Sequence, residues 1–436
     1  MANGGGNFLL MNKVIPGAYI NFVSASRASV NMGDRGYATM ALELNWGPDD
    51  EVFTVENGEF QKNSMKIFGY DYTAPELKGL RDLFKNTKIA YLYRLNGEGT
   101  KAQNTFATAK YSGVRGNDIK TIIQSNIDYE DKFDVITMLG ENKIDFQTVA
   151  TASELLDNDY VVYKKNVELV ETAGVPLTGG TNAASITGAN HQAYLDAIES
   201  YNFNTMGCLS TTKEIVDLYI QFTKRMRDEV GVKFQTVVYN TAADFEGVIN
   251  LQNKVLDDKT VESSLVYWVT GASAGCLINA SNTNKKYDGD FTVDTKYTQL
   301  QLEQGIKAGQ FLFHTNDNEV YVLTDINSLT SITVEKGEDF QSNQVIRILD
   351  QIGNDIALLF NTKHNGKTRN NSSGREALWK DIVAHHQELE RVEALEDFNP
   401  KAVLVEKGPI KKSVIVTDPV TPVTCMEILY MTVVVA

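Results

Sequence analysis

The side chains that could carry out chemistry in this 436-residue chain are few and scattered. There are five histidines: His191, His314, His364, His385 and His386. A serine hydrolase needs a histidine base held between a serine and a carboxylate, and none of the five lies near a Gly-x-Ser-x-Gly nucleophile turn. The adjacent pair His385 and His386 should point to different faces of a helix, unlike the i, i+4 pair of a metal site. We therefore expect no catalytic residue and no metal site.

Two glycine-containing loops, 177–182 and 187–190, could approach a phosphate. Neither loop leads into the Gly-Lys-Ser/Thr triplet of a Walker A loop, and no GxGxxG motif occurs. We expect no cofactor. Three isolated cysteines lie in apolar surroundings without the spacing of a metal site, which predicts buried, reduced, structural thiols. They are Cys208, Cys276 and Cys425.

The charge and hydropathy of the chain exclude some classes of partner. The net charge is −15, from 41 basic and 56 acidic residues, whereas a nucleic-acid-binding surface needs excess Lys and Arg. No apolar run is long enough to cross a bilayer, and the stretch 8–11 is too short for the core of a signal peptide. We expect a soluble protein with no nucleic-acid partner and no membrane insertion.

The length predicts two to four domains, and the central pattern is that of an α/β fold. A strand at 37–44, a helix at 74–84 and a strand at 89–95 form a β–α–β pattern, which favours a parallel sheet. The same alternation of strands and helices returns further along the chain. We assign 26–97 and 174–340 to one α/β domain.

Two other regions have different patterns. Between 98 and 173, short strands separated by Gly, Asn and Asp turns predict a small inserted β-sandwich. Between 341 and 417, apolar residues recur at three- and four-residue steps in two segments, 345–359 and 378–392, before two strand-like stretches. This pattern predicts a C-terminal α+β domain that contains an α-hairpin.

Each end of the chain is predicted to be an extended β-arm, 1–25 and 418–436. The last residues, MEILYMTVVVA, form a strand that is apolar on both faces, and Pro419 and Pro422 exclude a tight hairpin before it. Such a strand either joins a sheet of its own domain or is donated to a neighbour. Two donated arms would build rings, helices or tubes. The residues expected to exchange are Tyr19, Ile20, Asn21, Phe22, Ile428, Leu429, Tyr430, Met431, Thr432, Val433 and Val434.

The linker 361–380 is locally basic in this acidic chain. Two interpretations stay open, a solvated loop and a docking surface for an acidic partner. The cations concerned are Lys363, Lys367, Arg369 and Arg375, with Lys380 beyond them.

The arm sequences IPGAYINF and MEILYMTVVV resemble those of contractile phage tail sheath proteins, a family that includes the sheaths of phage-tail-like bacteriocins. Five interior stretches resemble the family in the same order: Asn45–Pro48, Lys110–Asn117, Leu177–Gly180, Asp325–Thr330 and Asn343–Asp350. The resemblance implies a subtilisin-like α/β core and a C-terminal domain that faces an inner tube. It assigns the α-hairpin to contact with that tube, and within the hairpin the basic residues Lys363, Lys367, Arg369 and Arg375 are the ones expected to make it.

The resemblance also implies a structural subunit and not an enzyme. Hexameric rings of subunits would stack around the tail tube through donated strands and contract by rigid-body movement. The implied partners are further copies of the chain, the tube protein, and the baseplate and tail terminator proteins. The implied location is the virion tail, assembled in the host bacterial cytoplasm. Hinges for the arms are expected at 4–6, 24–29 and 418–424.

Two rival functions remain open at this stage. An α/β hydrolase-like enzyme would need a histidine–nucleophile constellation, and a self-assembling surface protein would need a secretion signal. Infectious phage and bacteriocin are not distinguished by these residues.

Overall fold

The computed structural model describes residues 34–435. The predicted N-terminal arm residues Tyr19, Ile20, Asn21 and Phe22, and the hinges expected at 4–6 and 24–29, lie outside that range. The strands are β1 (Tyr37–Leu42), β2 (Val52–Glu56), β3 (Ile89–Arg94), β4 (Ala107–Ala109), β5 (Ile119–Ser125), β6 (Phe133–Leu139), β7 (Asn142–Val149), β8 (Val161–Tyr163), β9 (Thr172–Pro176), β10 (Thr205–Gly207), β11 (Gln235–Tyr239), β12 (Val248–Leu251), β13 (Gln310–Phe311), β14 (Phe313–Asn316), β15 (Glu319–Val322), β16 (Leu404–Lys407) and β17 (Val414–Thr417).

The α-helices alternate with these strands in the first and middle parts of the chain and dominate the last part. They are α1 (Asn57–Phe68), α2 (Lys78–Phe84), α3 (Gly188–Ile198), α4 (Lys213–Lys224), α5 (Val266–Gly275), α6 (Gln299–Lys307), α7 (Asn343–Leu359) and α8 (Ser372–Arg391). The pattern at 74–84 predicts one helix, and the structure has a 3₁₀ turn at Pro75–Leu77 followed by α2. The elements β2, α1, β9 and β12 are absent from the predicted pattern.

The central sheet has seven strands in the order β13-β12-β11-β10-β1-β3-β2. All neighbours in it are parallel except β2, which is antiparallel to β3. Alternate residues of β1 face opposite layers, since Met40 packs in the core beneath α2 and α5 while Ala41 packs in the core beneath α3 and α4. Helices therefore cover both faces, which is the arrangement expected of a mostly parallel sheet.

Helix α5 is apolar and contains small residues where it packs most closely on its neighbours. Gly271 lies against the backbone carbonyl of Leu83, and an added Cβ would come within 2.2 Å of that oxygen. Gly275 is equally close to the backbone at Asn86. The glycines therefore let α5 pack directly on the end of α2.

The segment between β3 and α3 forms the predicted inserted β-domain. Strands β7-β6-β5-β9 make an antiparallel sheet, and β4 pairs with β8. Ala107 and Val161 of the two-stranded sheet share one core with Ile119 and Val135 of the larger one. Trp46 of the α/β body enters the same core and is fully buried.

The glycine loops lie at the junction between the α/β body and this β-domain. Gly113 has φ +123°, and an added Cβ would lie 2.2 Å from the carbonyl oxygen of Asn45. Gly180 meets the carbonyl of Gly113 and donates its amide to Asn117 Oδ1 at 2.8 Å. The buried Arg94 of the α/β body completes the junction by donating to Ser112 O of the β-domain at 3.0 Å. At Gly113 and Gly180 backbone carbonyls fill the space beside the glycine, so these two positions let the domains pack closely together.

Helices α7 and α8 form the predicted α-hairpin and begin at capping side chains. Ser342 accepts a hydrogen bond from Val345 N at 3.4 Å, and Asn371 accepts one from Gly374 N at 2.9 Å. Two ion pairs fix α7 to the α/β body. Arg347 binds Asp325 at 2.6 Å with both side chains buried.

The second ion pair joins Arg227 to Asp350 through two bonds of 2.6 and 2.8 Å. The pair of Arg347 with Asp325 also joins the stretches 325–330 and 343–350, both of which resemble the sheath family. These two stretches therefore form a polar contact between the α/β body and α7.

Of the three cysteines, Cys208 and Cys276 are buried as predicted, but Cys425 is exposed. The prediction for Cys425 is wrong because the segment around it lies on the surface and covers no core. In the part of the chain that the structure describes, no helix is long and apolar enough to cross a membrane.

Candidate assembly interface

The C-terminal segment 426–435 is extended and adds no strand to any sheet of residues 34–435. Its large apolar side chains are between 72% and 102% exposed. They are Met426, Ile428, Leu429, Tyr430, Met431, Val433, Val434 and Val435. Unpaired backbone and exposed apolar side chains in a strand-forming sequence create a surface that another sheet can bind. The predicted exchange residues from Ile428 to Val434 are thus presented together, with both faces free.

The root of this segment is held firmly to the body. Pro422 forms a bridge with Leu395, and Val423 N donates to Ala394 O at 3.0 Å. Cys425 N donates to Gln344 Oε1 at 3.0 Å. These hydrogen bonds hold residues 422–425 to the body, within the region where a hinge is expected at 418–424.

The free part of the chain begins after Glu427. The carboxylate of Glu427 accepts hydrogen bonds from Thr283 Oγ1 at 2.7 Å and Thr324 Oγ1 at 2.8 Å. From Ile428 onward every residue up to Val435 is exposed. Glu427 is therefore the last residue that hydrogen bonds hold to the body within residues 34–435.

A two-stranded sheet, β16–β17, lies in the same domain and has room for further strands. Leu404 pairs with Thr417 and Lys407 with Val414, and neither outer edge is paired within residues 34–435. Val405 and Val414 pack towards α8, whereas Leu404 and Ile415 are about half exposed, at 49% and 50%. A two-stranded sheet is marginal on its own and gains stability from added strands. The sequence predicts both strands, but only the structure shows that their outer edges are unpaired within residues 34–435.

The predicted basic surface of the linker is partly engaged by its own chain. Lys363 pairs with Asp381 at 3.1 Å, and Lys367 Nζ donates to Thr362 O at 2.6 Å. Arg375 donates to Asn370 Oδ1 at 3.2 Å. The guanidinium of Arg369 is exposed and makes no hydrogen bond within residues 34–435.

Arg369 and Arg375 line one cavity, together with Lys412 from the β16–β17 turn. Lys363 and Lys367 do not line it. The sequence analysis missed Lys412 because it lies about forty positions along the chain from the linker, beyond the reach of any local pattern. The cavity opens at the N-terminus of α8, where backbone amides and the helix dipole favour negative charge. The cluster therefore suits an acidic group.

His364 connects the linker to α8. Its Nδ1 lies 3.1 Å from Thr368 Oγ1, and its Nε2 lies 2.9 Å from Asp381 Oδ2. This has the connectivity of a nucleophile–base–carboxylate chain, which the sequence analysis did not find. Asp381 also binds Lys363, so the same carboxylate fastens two side chains of the linker to α8. We assign this group a structural role.

Gly366-Lys367-Thr368 in the same loop is a Gly-Lys-Thr triplet. It follows a helical turn, Phe360–His364, and not a strand. A phosphate-binding P-loop needs a strand before the loop.

The two adjacent histidines of α8 are both completely buried. Their Nδ1 atoms lie 3.1 Å apart, so the prediction that they point to different faces is wrong. Neighbouring helix positions diverge by about 100° at the backbone, yet the two rings meet, as His385 reaches the buried Asp355 and His386 the partly exposed Asp418. The described residues contain no group of three or more His, Cys, Asp or Glu side chains that could hold a metal ion.

Comparison with known families assigns models to nearly all of residues 35–436. The matches are the tail sheath protein Gp18 domain III N-terminal region at 35–95, the phage tail sheath protein beta-sandwich domain at 96–182, the phage tail sheath protein central domain at 184–328 and the phage tail sheath C-terminal domain at 335–436.

Individual proteins of similar sequence or structure cover most of the chain. A sheath tail protein of Desulfitobacterium hafniense of known structure is 36% identical, with a TM-score of 0.83 over 94% of this chain and 98% of that one. The phage-like element PBSX protein XkdK of Bacillus subtilis is 32% identical over 81% of each chain. The helical sheath of the anti-feeding prophage, in its contracted state, shares the fold at 11% identity, with a TM-score of 0.57 over 97% of this chain and 99% of that one.

Proposed function

The chain belongs to the phage tail sheath protein family, and we propose that it is the repeating subunit of a contractile sheath that surrounds an inner tail tube. The observation that carries this proposal is the exposed segment 428–435, a strand-forming sequence that joins no sheet within residues 34–435, together with a β16–β17 sheet whose edges are unpaired within the same residues. The segment buries too little apolar surface to stabilise its own subunit, so this surface is available to a neighbouring subunit.

In this proposal each subunit donates its arms to the β16–β17 sheets of neighbouring subunits. Main-chain hydrogen bonds then join the subunits, and alternate side chains of the arm are buried on the acceptor. An arm that leaves one subunit and enters another makes a heterologous contact, which builds rings or helices. We propose stacked hexameric rings. The residues that exchange are those predicted from both arms, 19–22 and 428–434.

Contraction follows from the same design. The rigid body ends at Glu427, which is anchored by two hydrogen bonds, and the free arm begins at the next residue. Subunit bodies can therefore rotate and slide while the donated strands stay paired. The extended sheath is then a kinetically trapped state, and the energy for contraction comes from new contacts between bodies.

The proposed partners are other copies of the chain, the tail tube protein, and the baseplate and terminator proteins at the two ends. We propose that the cavity lined by Arg369, Arg375 and Lys412 contacts the tube. Three cations around one cavity suit a carboxylate of the tube protein. Lys363 and Lys367 are proposed to support this surface, although both bind within the linker. The particle is a virion tail or a tail-like particle, assembled in the host cytoplasm.

Truncation after Glu427 tests the proposal. The variant that lacks 428–436 should fold with unchanged thermal stability, because the removed side chains contact little of the body. In negative-stain electron microscopy the full chain should form hollow striated tubes and the truncated chain should not. Normal tubes from the truncated chain would refute donation of the C-terminal strand. Loss of the folded monomer would show that the segment belongs to its own domain.

Charge reversal tests the tube contact separately. Arg369→Glu combined with Lys412→Glu should weaken binding to the tube protein and leave self-assembly of the sheath intact. Lys380→Glu is the matched control, since within residues 34–435 Lys380 pairs with Glu376 alone, on the exposed side of α8. If the control weakens tube binding as much as the double variant, the cavity has no special role.

A further inference from the structure

A small polar cavity lies where α7 packs against the amino end of the central sheet. One wall is formed where three neighbouring parallel strands begin, since Arg35 precedes β1, Asn204 precedes β10 and Gln235 opens β11. The opposite wall is α7, which contributes Arg347 and Asp350. The other lining residues are Lys233, Phe234, Gln351 and Asn354. Because only one of the nine lining side chains is apolar, this cavity is a candidate site for a polar or charged ligand.

Arg347 brings a buried guanidinium with unpaired donors to this cavity. Its Nη2 donates to Asp325 Oδ2 at 2.6 Å and to Ala280 O at 3.2 Å. Its Nε and Nη1 are buried and make no hydrogen bond within residues 34–435. Folded proteins rarely leave a buried N–H group without an acceptor, because the group has lost its contact with water. These two nitrogens therefore need an acceptor that the described residues do not supply.

Two further side chains of the lining have donors that the described part of the chain does not use. Asn204 Oδ1 accepts from two main-chain amides, both at 3.0 Å, which leaves its Nδ2 unpaired. Arg35 donates through Nε and Nη2 to two main-chain carbonyls at 2.8 and 3.0 Å, which leaves its Nη1. The amide oxygens of Gln235 and Gln351 would suit a water molecule, which donates as well as accepts. The charge of the lining has to decide between water and an anion.

The charge of the lining favours an anion. Arg347 and Asp350 each have an oppositely charged partner, so their charges are compensated. Arg35 and Lys233 form no ion pair within residues 34–435, and both donate to main-chain carbonyls, which carry no net charge. Burial, and after it the charge of Arg347, lowers the pKa of Arg35 to about 10. Two cations beside the cavity therefore lack a compensating negative charge.

The segment that leads into Arg35 contains no group that could supply this charge. Residues 1–33 include no Asp and no Glu. The missing negative charge must therefore come from outside this part of the chain. The cavity has a volume of about 10 Å³, which gives room for one water-sized particle. A single-atom anion fits this space, whereas phosphate and organic acids need more room.

We propose that this cavity binds one chloride ion. The unpaired N–H groups of Arg347, Arg35 and Asn204 donate to it, and the charge of Lys233 adds to the attraction. Asn204 and Lys233 are partly exposed, so the ion can enter from solvent. Because its donors come from the amino end of the sheet and from α7, the ion fastens the C-terminal domain to the α/β body. This site belongs to the single subunit and does not rest on the proposed assembly.

Unfolding of the dilute full chain in sodium chloride tests the site, with sodium gluconate keeping the ionic strength constant. A ligand that binds only the folded chain stabilises it as its concentration rises. Above the dissociation constant, each tenfold increase in chloride should raise the ratio of folded to unfolded chain about tenfold. Bromide should act like chloride. An unfolding midpoint that does not depend on the chloride concentration would overturn the proposal.

Lys233→Met separates this site from a general effect of salt. The variant keeps the apolar stem and removes the charge, so the chloride concentration that gives half of the effect should rise about tenfold or more. Lys164→Met is the matched control. Lys164 is also partly exposed, donates to a main-chain carbonyl at 2.6 Å and has no ion pair among the described residues, but it lies in the β-domain. Equal chloride dependence in Lys233→Met and in Lys164→Met would contradict the proposal.

Crystals of the full chain grown in bromide give a readout that needs no variant. Bromide scatters anomalously and water does not. We expect an anomalous peak in the cavity, within hydrogen-bond distance of Nε or Nη1 of Arg347. Density in the cavity without an anomalous signal would identify water and overturn the proposal. A side chain of another segment in that position would overturn it as well.

Discussion

Leu429→Asp should abolish sheath assembly without destabilising the subunit. Leu429 is 82% exposed and lies beyond the last anchored residue. The substitution therefore removes almost no contact from the monomer, and surface changes of this kind usually alter stability by less than about 0.5 kcal/mol. In an assembled sheath the same side chain would lie on an acceptor sheet.

The expected cost in the assembly can be worked from the exposure of the arm. Burying a Leu, Ile, Val or Met side chain contributes about 2 kcal/mol. Five such residues of the arm are at least 72% exposed, so complete burial would contribute up to about 10 kcal/mol per arm. They are Ile428, Leu429, Met431, Val433 and Val434. Losing one of these contributions raises the concentration needed for assembly about thirtyfold, and a buried charge raises it further.

Sedimentation and negative-stain microscopy over a concentration series measure this shift, and thermal unfolding measures the monomer. Val334→Asp is the matched control, because Val334 is also fully exposed, at 105%, but lies outside both arms. Assembly of Leu429→Asp at the wild-type concentration would refute the reasoning. So would a loss of monomer stability in Leu429→Asp that Val334→Asp does not share.

Two further predictions concern buried charges of the body. Burial raises the pKa of Asp82 to about 6, although the hydrogen bonds that it accepts from Tyr287 and Asp290 N act to lower that pKa. The protonated Asp82 therefore stabilises the folded chain at low pH, and this contribution is lost as the pH rises through 6. The full effect is about 3 kcal/mol, and Asp82→Asn should remove the corresponding slope from chemical denaturation curves measured between pH 4 and pH 7. Arg347→Met should lower the free energy of unfolding by about 3–5 kcal/mol, because it leaves Asp325 buried without its cation. Adding Asp325→Asn should restore part of this free energy of unfolding. A double variant no more stable than Arg347→Met alone would contradict the account.

Much of the fold follows from local pattern. Alternation of strands and helices predicts the parallel sheet, turn spacing predicts the inserted β-domain, and three- and four-residue apolar steps predict α7 and α8. The missed elements have weaker patterns. β2 is an edge strand with one buried residue, and β12 is a fully buried stretch of four residues. A short, uniformly buried run has no periodicity that separates it from other buried segments.

The sequence by itself determined that this chain has strand-forming ends and a basic linker, because strand propensity, proline positions and charge are local properties. Only the tertiary structure decided that the C-terminal arm is free from Ile428 onward, that Lys412 joins Arg369 and Arg375, and that His385 touches His386. The physical reason is that each of these facts depends on which groups already have partners. Hydrogen bonds and burial join residues far apart in the chain, so which backbone and side-chain groups stay exposed is decided only when the whole chain has folded.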